Sequence, residues 1–264
     1  MPKRNLPALK DPLRIGRVKY LNARPLIRGW PGEVILDHPA ALCTQLARGD
    51  LDVALVSSFE FLRNPIYRIV DHVSISSAGP VYSVVVAHRG EISEIDEIEI
   101  DPAAETSGNL LRCLLAEMNL HPRFVRTSTS SVRAPDTARL FIGDQAIRFR
   151  KQHADEFRFW DLGEQWDGLI GLPFVYALWL VRPEVANAKN IADRLRTLRD
   201  QNLASIDKLI SDEKDFDHEF CARYYGRHLR FNFGDKEKEG LRAFQQLCQK
   251  HGLLPKSEIA LSVV

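Results

Sequence analysis

Between residues 13 and 56 three short apolar runs, Leu13 to Leu21, Glu33 to Asp37 and Leu51 to Val56, are separated by helical stretches. This order constrains the fold more than any other feature of the chain. A strand that recurs after a crossover helix pairs in parallel with an earlier one, so a mostly parallel sheet covered by helices is expected. Pro25 stands where the first turn of one helix would begin. Pro39 opens the next, Ala40 to Arg48, with Leu42, Cys43 and Leu46 on one stripe and Gly49 as its stop. The third run is broken only by Asp52, as suits a buried strand.

The first run ends at Tyr20-Leu21 and meets Asn22 just before the helix start. Backbone N–H groups point outward at such a tip, and α/β proteins place ligands there. Asn22 is either a ligand-holding amide or a residue that tolerates turn dihedrals. Ser57-Ser58 follows the third strand and precedes a short helix, Phe59 to Arg63. These hydroxyls are either a polar rim or a helix cap.

The 264 residues include 36 basic and 35 acidic side chains, and 45% are hydrophobic. The near-neutral balance lacks the basic excess of a nucleic-acid binder. Residues 1–12, with three prolines, read as a flexible tail, neither signal peptide nor membrane anchor. No apolar run of about 18 residues is present, so no membrane span or membrane partner is expected. Cys43, Cys113, Cys221 and Cys248 are widely spaced and read as reduced thiols of a cytoplasmic protein. The scattered histidines form no metal motif.

Ile66 to Ser76 is extended, Ser76 to Pro80 is a break, and Val81 to Ala87 is a further strand that contains Ser83. This is either a crossing between two lobes or a hairpin. A second α/β pattern follows. Glu97 to Ile100 is a strand, Asp101 to Glu105 a loop, and Thr106-Ser107-Gly108-Asn109 leads into a helix, Leu110 to Met118. Thr106 or Ser107 is expected to cap it. Hydroxyls and free amides at a helix start suit a carboxylate or phosphate, although no Walker pattern is present. Strands are expected at Arg123 to Val125 and Ala138 to Ile142, the second ending in Gly143-Asp144-Gln145. Asp144 either caps the next helix or bonds a ligand hydroxyl. Phe157 to Leu162 is a strand, and Glu164 to Gly168 a short helical turn. Leu172 to Val181 is a buried strand returning toward the first lobe. Helices are expected over Ala188 to Ser211, Asp215 to Tyr225 and Lys236 to His251.

Tyr20-Leu21-Asn22-Ala23-Arg24-Pro25-Leu26 resembles the opening signature of the chorismate dehydratases of the futalosine route to menaquinone. Later segments match in order: Gly49 to Leu55 with Ser58 and Glu60, Gly79-Pro80-Val81 with Ser83-Val84, and Thr106-Ser107 with Leu110-Leu111-Arg112. Ile142-Gly143-Asp144, Asp161 to Glu164 with Trp166, and Gly171 to Val175 with Ala177 and Trp179 follow. Ser57, Tyr82 and Gly108 depart from the pattern. The resemblance implies an α/β, two-lobed, periplasmic-binding-protein-like (type II) fold with a ligand cleft between lobes. The lobes would be residues 13–85 plus 182–264, and 86–181. It implies a hydro-lyase that removes water from chorismate to give 3-[(1-carboxyvinyl)oxy]benzoate, acting as monomer or homodimer without cofactor or metal. Asn22 would be catalytic as an orienting amide, and Ser57, Ser58, Ser83, Thr106, Ser107 and Asp144 would bind substrate. The proton would go to Glu60, to Asp144 or, by preference, to a carboxylate of the substrate itself. The competing class is a non-catalytic cytosolic protein of the same fold that binds a small carboxylate.

Overall fold

A computed structural model describes residues 13–126 and 137–264; the expected tail at residues 1–12 lies outside the described residues. Two five-stranded sheets repeat one plan. The first contains β1 (Ile15–Val18), β2 (Val34–Asp37), β3 (Val53–Ser57), β4 (Arg68–Ser77) and a strand from late in the chain, in the order β2-β1-β3-late strand-β4. β1 is parallel to both β2 and β3, as the crossover order implied, with α1 (Pro39–Arg48) as one crossover. α2 (Ser58–Arg63) follows β3 directly. The second sheet contains β5 (Val84–His88), β6 (Glu97–Ile100), β7 (Arg123–Arg126), β8 (Thr137–Ile142) and β9 (Arg158–Asp161), in the order β7-β6-β8-β5-β9. Its helices are α3 (Glu105–Glu117), α4 (Gly143–Gln152) and α5 (Leu162–Ile170).

The late strand of the first sheet is β10 (Phe174–Val181), antiparallel to β3 and β4. The chain thus crosses between sheets twice, through residues 78–83 and 162–173. The expected lobe limits need correction on both counts. The boundary at 85/86 falls inside β5, which pairs with β8 and β9, and residues 174–181 belong to the first sheet. Hydrogen-bonded pairing decides this: Leu178 sits opposite Val56, so β10 completes the first core.

Helices α6 (Ala188–Ala204), α7 (Ile206–Ser211), α8 (His218–Arg223) and α9 (Asp235–Lys250) finish the chain, with a π-helical turn, Tyr224–His228, after α8. The single helix expected over Ala188 to Ser211 breaks at Ser205. β4 is not left as an open edge, because Ile69 and Asp71 donate to Ser262 and Val264, and Ser76 exchanges bonds with Arg230. A buried aromatic group of Trp166, Phe174 and Phe244 joins α5, β10 and α9 where the second crossing returns. No helix among the described residues is long and apolar enough to cross a membrane.

Candidate active site

Beyond the tip of β1 the chain forms a 3-10 helix, Leu21–Leu26, and so the strand expected to reach Leu21 stops at Val18. A short 3-10 helix has poor internal hydrogen bonding, and Tyr20 gives it no side-chain cap. It is held from outside. Asp144 Oδ1 on α4 accepts the Leu21 N–H at 2.8 Å, and the Tyr225 hydroxyl donates to the Leu21 carbonyl at 3.0 Å. Asn202 donates to the carbonyls of Pro25 and Arg28, both at 2.9 Å. Arg24 pairs with the buried Glu213. Four separate elements thereby fix the half-buried Asn22, whose buried Oδ1 has no partner among the described residues.

Asn22 lines a cavity between the two sheets. Its walls are largely apolar, including Val18, Leu55, Ile75 and Leu229, with Tyr20, Ser57, Ser83, Thr106, Ser107 and Tyr176 as polar points. No Lys, Arg or His appears among the described lining residues. Glu105 is the one acid there, and its Oε1 accepts from Arg63 at 2.7 Å. Gly143 closes the wall opposite Tyr20. It has φ +59°, and a Cβ would lie 2.8 Å from the Tyr20 ring.

The expected site residues separate into three groups. Asn22, Ser83 and Ser107 face the cavity. Ser57 and Thr106 also line it, but their hydroxyls bond each other across the sheets, and Thr106 Oγ1 accepts the Phe59 N–H at 3.2 Å. Ser58 and Asp144 do not line the cavity. Ser58 is fully buried and donates to the Val175 carbonyl at 2.6 Å. Asp144 caps the opposite sheet's turn; burial pushes its carboxyl up, while the Leu21 N–H, Arg148 and Arg24 pull it down. Glu60 is also outside the lining, buried, and holds Arg63 and Asn64. α3 begins at Glu105, so Thr106 and Ser107 sit in its first turn and are not its cap. First-turn N–H groups have no acceptor within the helix.

Two supporting residues were missed. Asp161 at the end of β9 is buried and accepts from the N–H groups of Val81 (3.0 Å), Tyr82 (2.8 Å), Gly163 (3.0 Å) and Glu164 (3.3 Å). One carboxylate thus ties the first crossing to the start of the second and supports Tyr82 at φ 68°. The Asp-Leu-Gly-Glu spacing was the available signal of a cap. Tyr224, on the π-turn, is fully buried and donates to Ser83 Oγ at 2.7 Å. Cys43, Glu60 and Glu105 bring potential metal ligands within 4.8 Å of one another. Arg63 pairs with both carboxylates and already supplies their countercharge.

Two mixed sheets of the same plan, joined by two crossings around one cavity, define a two-lobed, periplasmic-binding-protein-like fold. A Candida albicans gene product described as exhibiting the generic periplasmic binding protein structural fold aligns with TM-score 0.64 at 13% identity, covering 96% of each chain. A protein from Archaeoglobus fulgidus aligns with TM-score 0.69 at 17% identity, over 92% of this chain and 98% of that one. Residues 13–250 match the family described as menaquinone biosynthesis, and the chain belongs to that family. Among its relatives, a chorismate dehydratase from Thermus thermophilus is 28% identical over 257 residues, spanning 89% of this chain and 94% of its own.

Proposed function

We propose that the protein is a chorismate dehydratase, which eliminates water from chorismate to give 3-[(1-carboxyvinyl)oxy]benzoate. At neutral pH chorismate has two carboxylates and one hydroxyl, so that hydroxyl is its only strong hydrogen-bond donor. The observation that carries the reading is the Asn22 Oδ1, an acceptor without a partner among the described residues, on a residue lining a cavity whose other polar groups are mostly hydroxyls able to donate. The hydroxyl suits Asn22. A carboxylate suits Ser107 and the free amides at the start of α3, where the helix dipole adds positive potential.

The ring loses the proton on the ether-bearing carbon and the neighbouring hydroxyl. These leave as one water, and the ring becomes aromatic. The lining offers few candidates for a base. Glu60 and Asp144 lie outside it, and Glu105 is paired with Arg63. An amide does not titrate usefully, so Asn22 orients and does not take the proton. The enolpyruvyl carboxylate of the substrate reaches that proton through a six-membered arrangement and serves as base. The protein then contributes orientation and exclusion of water. The experiment is incubation of the purified chain with chorismate, with no metal or cofactor added, read by mass and ultraviolet absorbance. A product lighter by one water is expected. Neither product nor binding would sink the reading, and binding without product would favour a carboxylate-binding protein.

A further inference from the structure

In the chorismate reading, Ser107 and the first-turn amides of α3 take one substrate carboxylate and Asn22 takes the hydroxyl. The second carboxylate, on the enolpyruvyl group, acts as base and has no protein partner so far. The hydroxyl and the enolpyruvyl ether stand on neighbouring ring carbons, and the ring carboxylate lies across the ring from them. The group that steadies the enolpyruvyl carboxylate must therefore neighbour Asn22. Most hydroxyls of the lining are engaged within the protein. Ser57 and Thr106 bond each other, Ser83 Oγ accepts from Tyr224, and the Tyr176 hydroxyl meets Ser77 at 3.2 Å. Tyr20 differs. It lines the cavity two residues before Asn22, and its phenol makes no hydrogen bond to a described residue. Its ring is confined from the other lobe by Gly143, where a Cβ would lie 2.8 Å from it.

We infer that Tyr20 is a further substrate-binding residue, whose phenol donates to the enolpyruvyl carboxylate and orients it toward the ring proton it removes. This rests on the chorismate reading. A phenol suits a carboxylate that must act as base. A cation would hold that carboxylate's pKa down and weaken it, and the described lining has no Lys, Arg or His. A neutral donor on one oxygen fixes the group and leaves the other oxygen free to take the proton. Burial, aided by the carboxylates of Asp101 and Asp144, pushes the Tyr20 phenol up to about 12, so it keeps its own proton. The C–H electron pair enters the ring as the C–O bond breaks. The carboxylate then passes the proton to the departing hydroxyl, which leaves as water.

The test is Tyr20→Phe, which keeps the ring against Gly143 and removes only the hydroxyl. Two ligands are titrated by NMR: 3-[(1-carboxyvinyl)oxy]benzoate, and 3-hydroxybenzoate, which keeps the ring carboxylate and lacks the enolpyruvyl one. The Kd of the first should rise about tenfold, the size expected for one hydrogen bond to a charged group. The Kd of the second should stay within about twofold, and kcat with chorismate should fall about tenfold or more. A general loss of structure would weaken both ligands alike. Equal weakening of the two, or unchanged kcat and product affinity, would overturn the inference. So would the same selective loss in Ser83→Ala with none in Tyr20→Phe. If the unaltered chain binds both ligands but does not turn chorismate over, the proposed function fails, and the two affinities still decide the role of Tyr20. Binding of neither ligand would overturn both.

Discussion

The chain passes from strand to helix at the cavity in both lobes, after β1 and after β6, and the two junctions are built differently. The first is a six-residue 3-10 helix with little stability of its own. It is pinned by Asp144, Tyr225, Asn202 and the Arg24–Glu213 pair, and it carries Asn22, whose Oδ1 has no partner among the described residues. The second is the start of a 13-residue α-helix that needs no such help. Its Thr106 hydroxyl is taken up by Ser57 and Phe59 of the other lobe, and what remains for a ligand is Ser107 and free backbone amides. A polar residue at a strand tip is therefore not yet a ligand residue. The first junction supplies a single oriented side chain, and the second a patch of positive backbone potential.

Substitutions can break this contrast. The largest effect is expected at Asn22: Asn22→Ala should lower kcat about a hundredfold, the size of loss seen when one preorganised polar group is removed, with little change in melting temperature. Asp144→Ala comes next. It strands the Leu21 N–H and should lower turnover about tenfold and cost about 1–2 kcal/mol in urea unfolding. Asp144→Asn keeps an acceptor and should retain most of the activity. Because burial raises the Asp144 carboxyl pKa, its contribution to stability is fully present below the ordinary aspartate range near 3.8 and is lost as pH rises through the raised value. Asp144→Asn should therefore gain on the parent in melting temperature as pH is raised from acid to neutral.

Gly143→Ala forces a side chain into the left-handed region and against Tyr20, at a cost of about 1–2 kcal/mol in denaturant unfolding. Thr106→Val removes the contacts to Ser57 and Phe59 and should cost about 1 kcal/mol, with kcat held within about threefold. Equal loss of kcat in Thr106→Val and Asn22→Ala would erase the distinction between the junctions. The smallest effect belongs to Glu117→Gln, at the end of α3 and outside the cavity lining. Lys250 and His251 hold that carboxyl below its usual range. Its contribution is present at neutral pH and lost as pH falls through the depressed value. A largely solvent-screened pair of this kind contributes less than about 1 kcal/mol, measured by denaturation at neutral and acid pH.

Local pattern made the first sheet legible. The apolar runs around Ile15, Val34 and Val53 and the helix between Pro39 and Gly49 all carry their own periodicity and stop signals. Asn22 was readable because a strand tip and a proline bracket it. Asp144 could be seen as a cap, but not as the cap of a turn 123 residues earlier, since no local rule relates the two. Ser83 was placed inside a strand that begins only at Val84, because Tyr82 takes a positive φ that Asp161 sustains from 79 residues away. Tyr224 falls inside the helix expected over Asp215 to Tyr225, with no sequence signal that sets it apart. Its hydroxyl meets Ser83 of the first crossing, 141 residues earlier in the chain. Residues fixed by contacts distant in sequence are the ones the reading missed.

The division of labour between the two junctions is tested most directly by a crystal structure of Asn22→Ala with chorismate, where slow turnover preserves the substrate. The expected result is chorismate in the cavity, one carboxylate on Ser107 and the first-turn amides of α3, and its hydroxyl directed at the space Asn22 has vacated. A carboxylate at the Leu21 turn with the hydroxyl at α3, or chorismate outside the cavity, would contradict it.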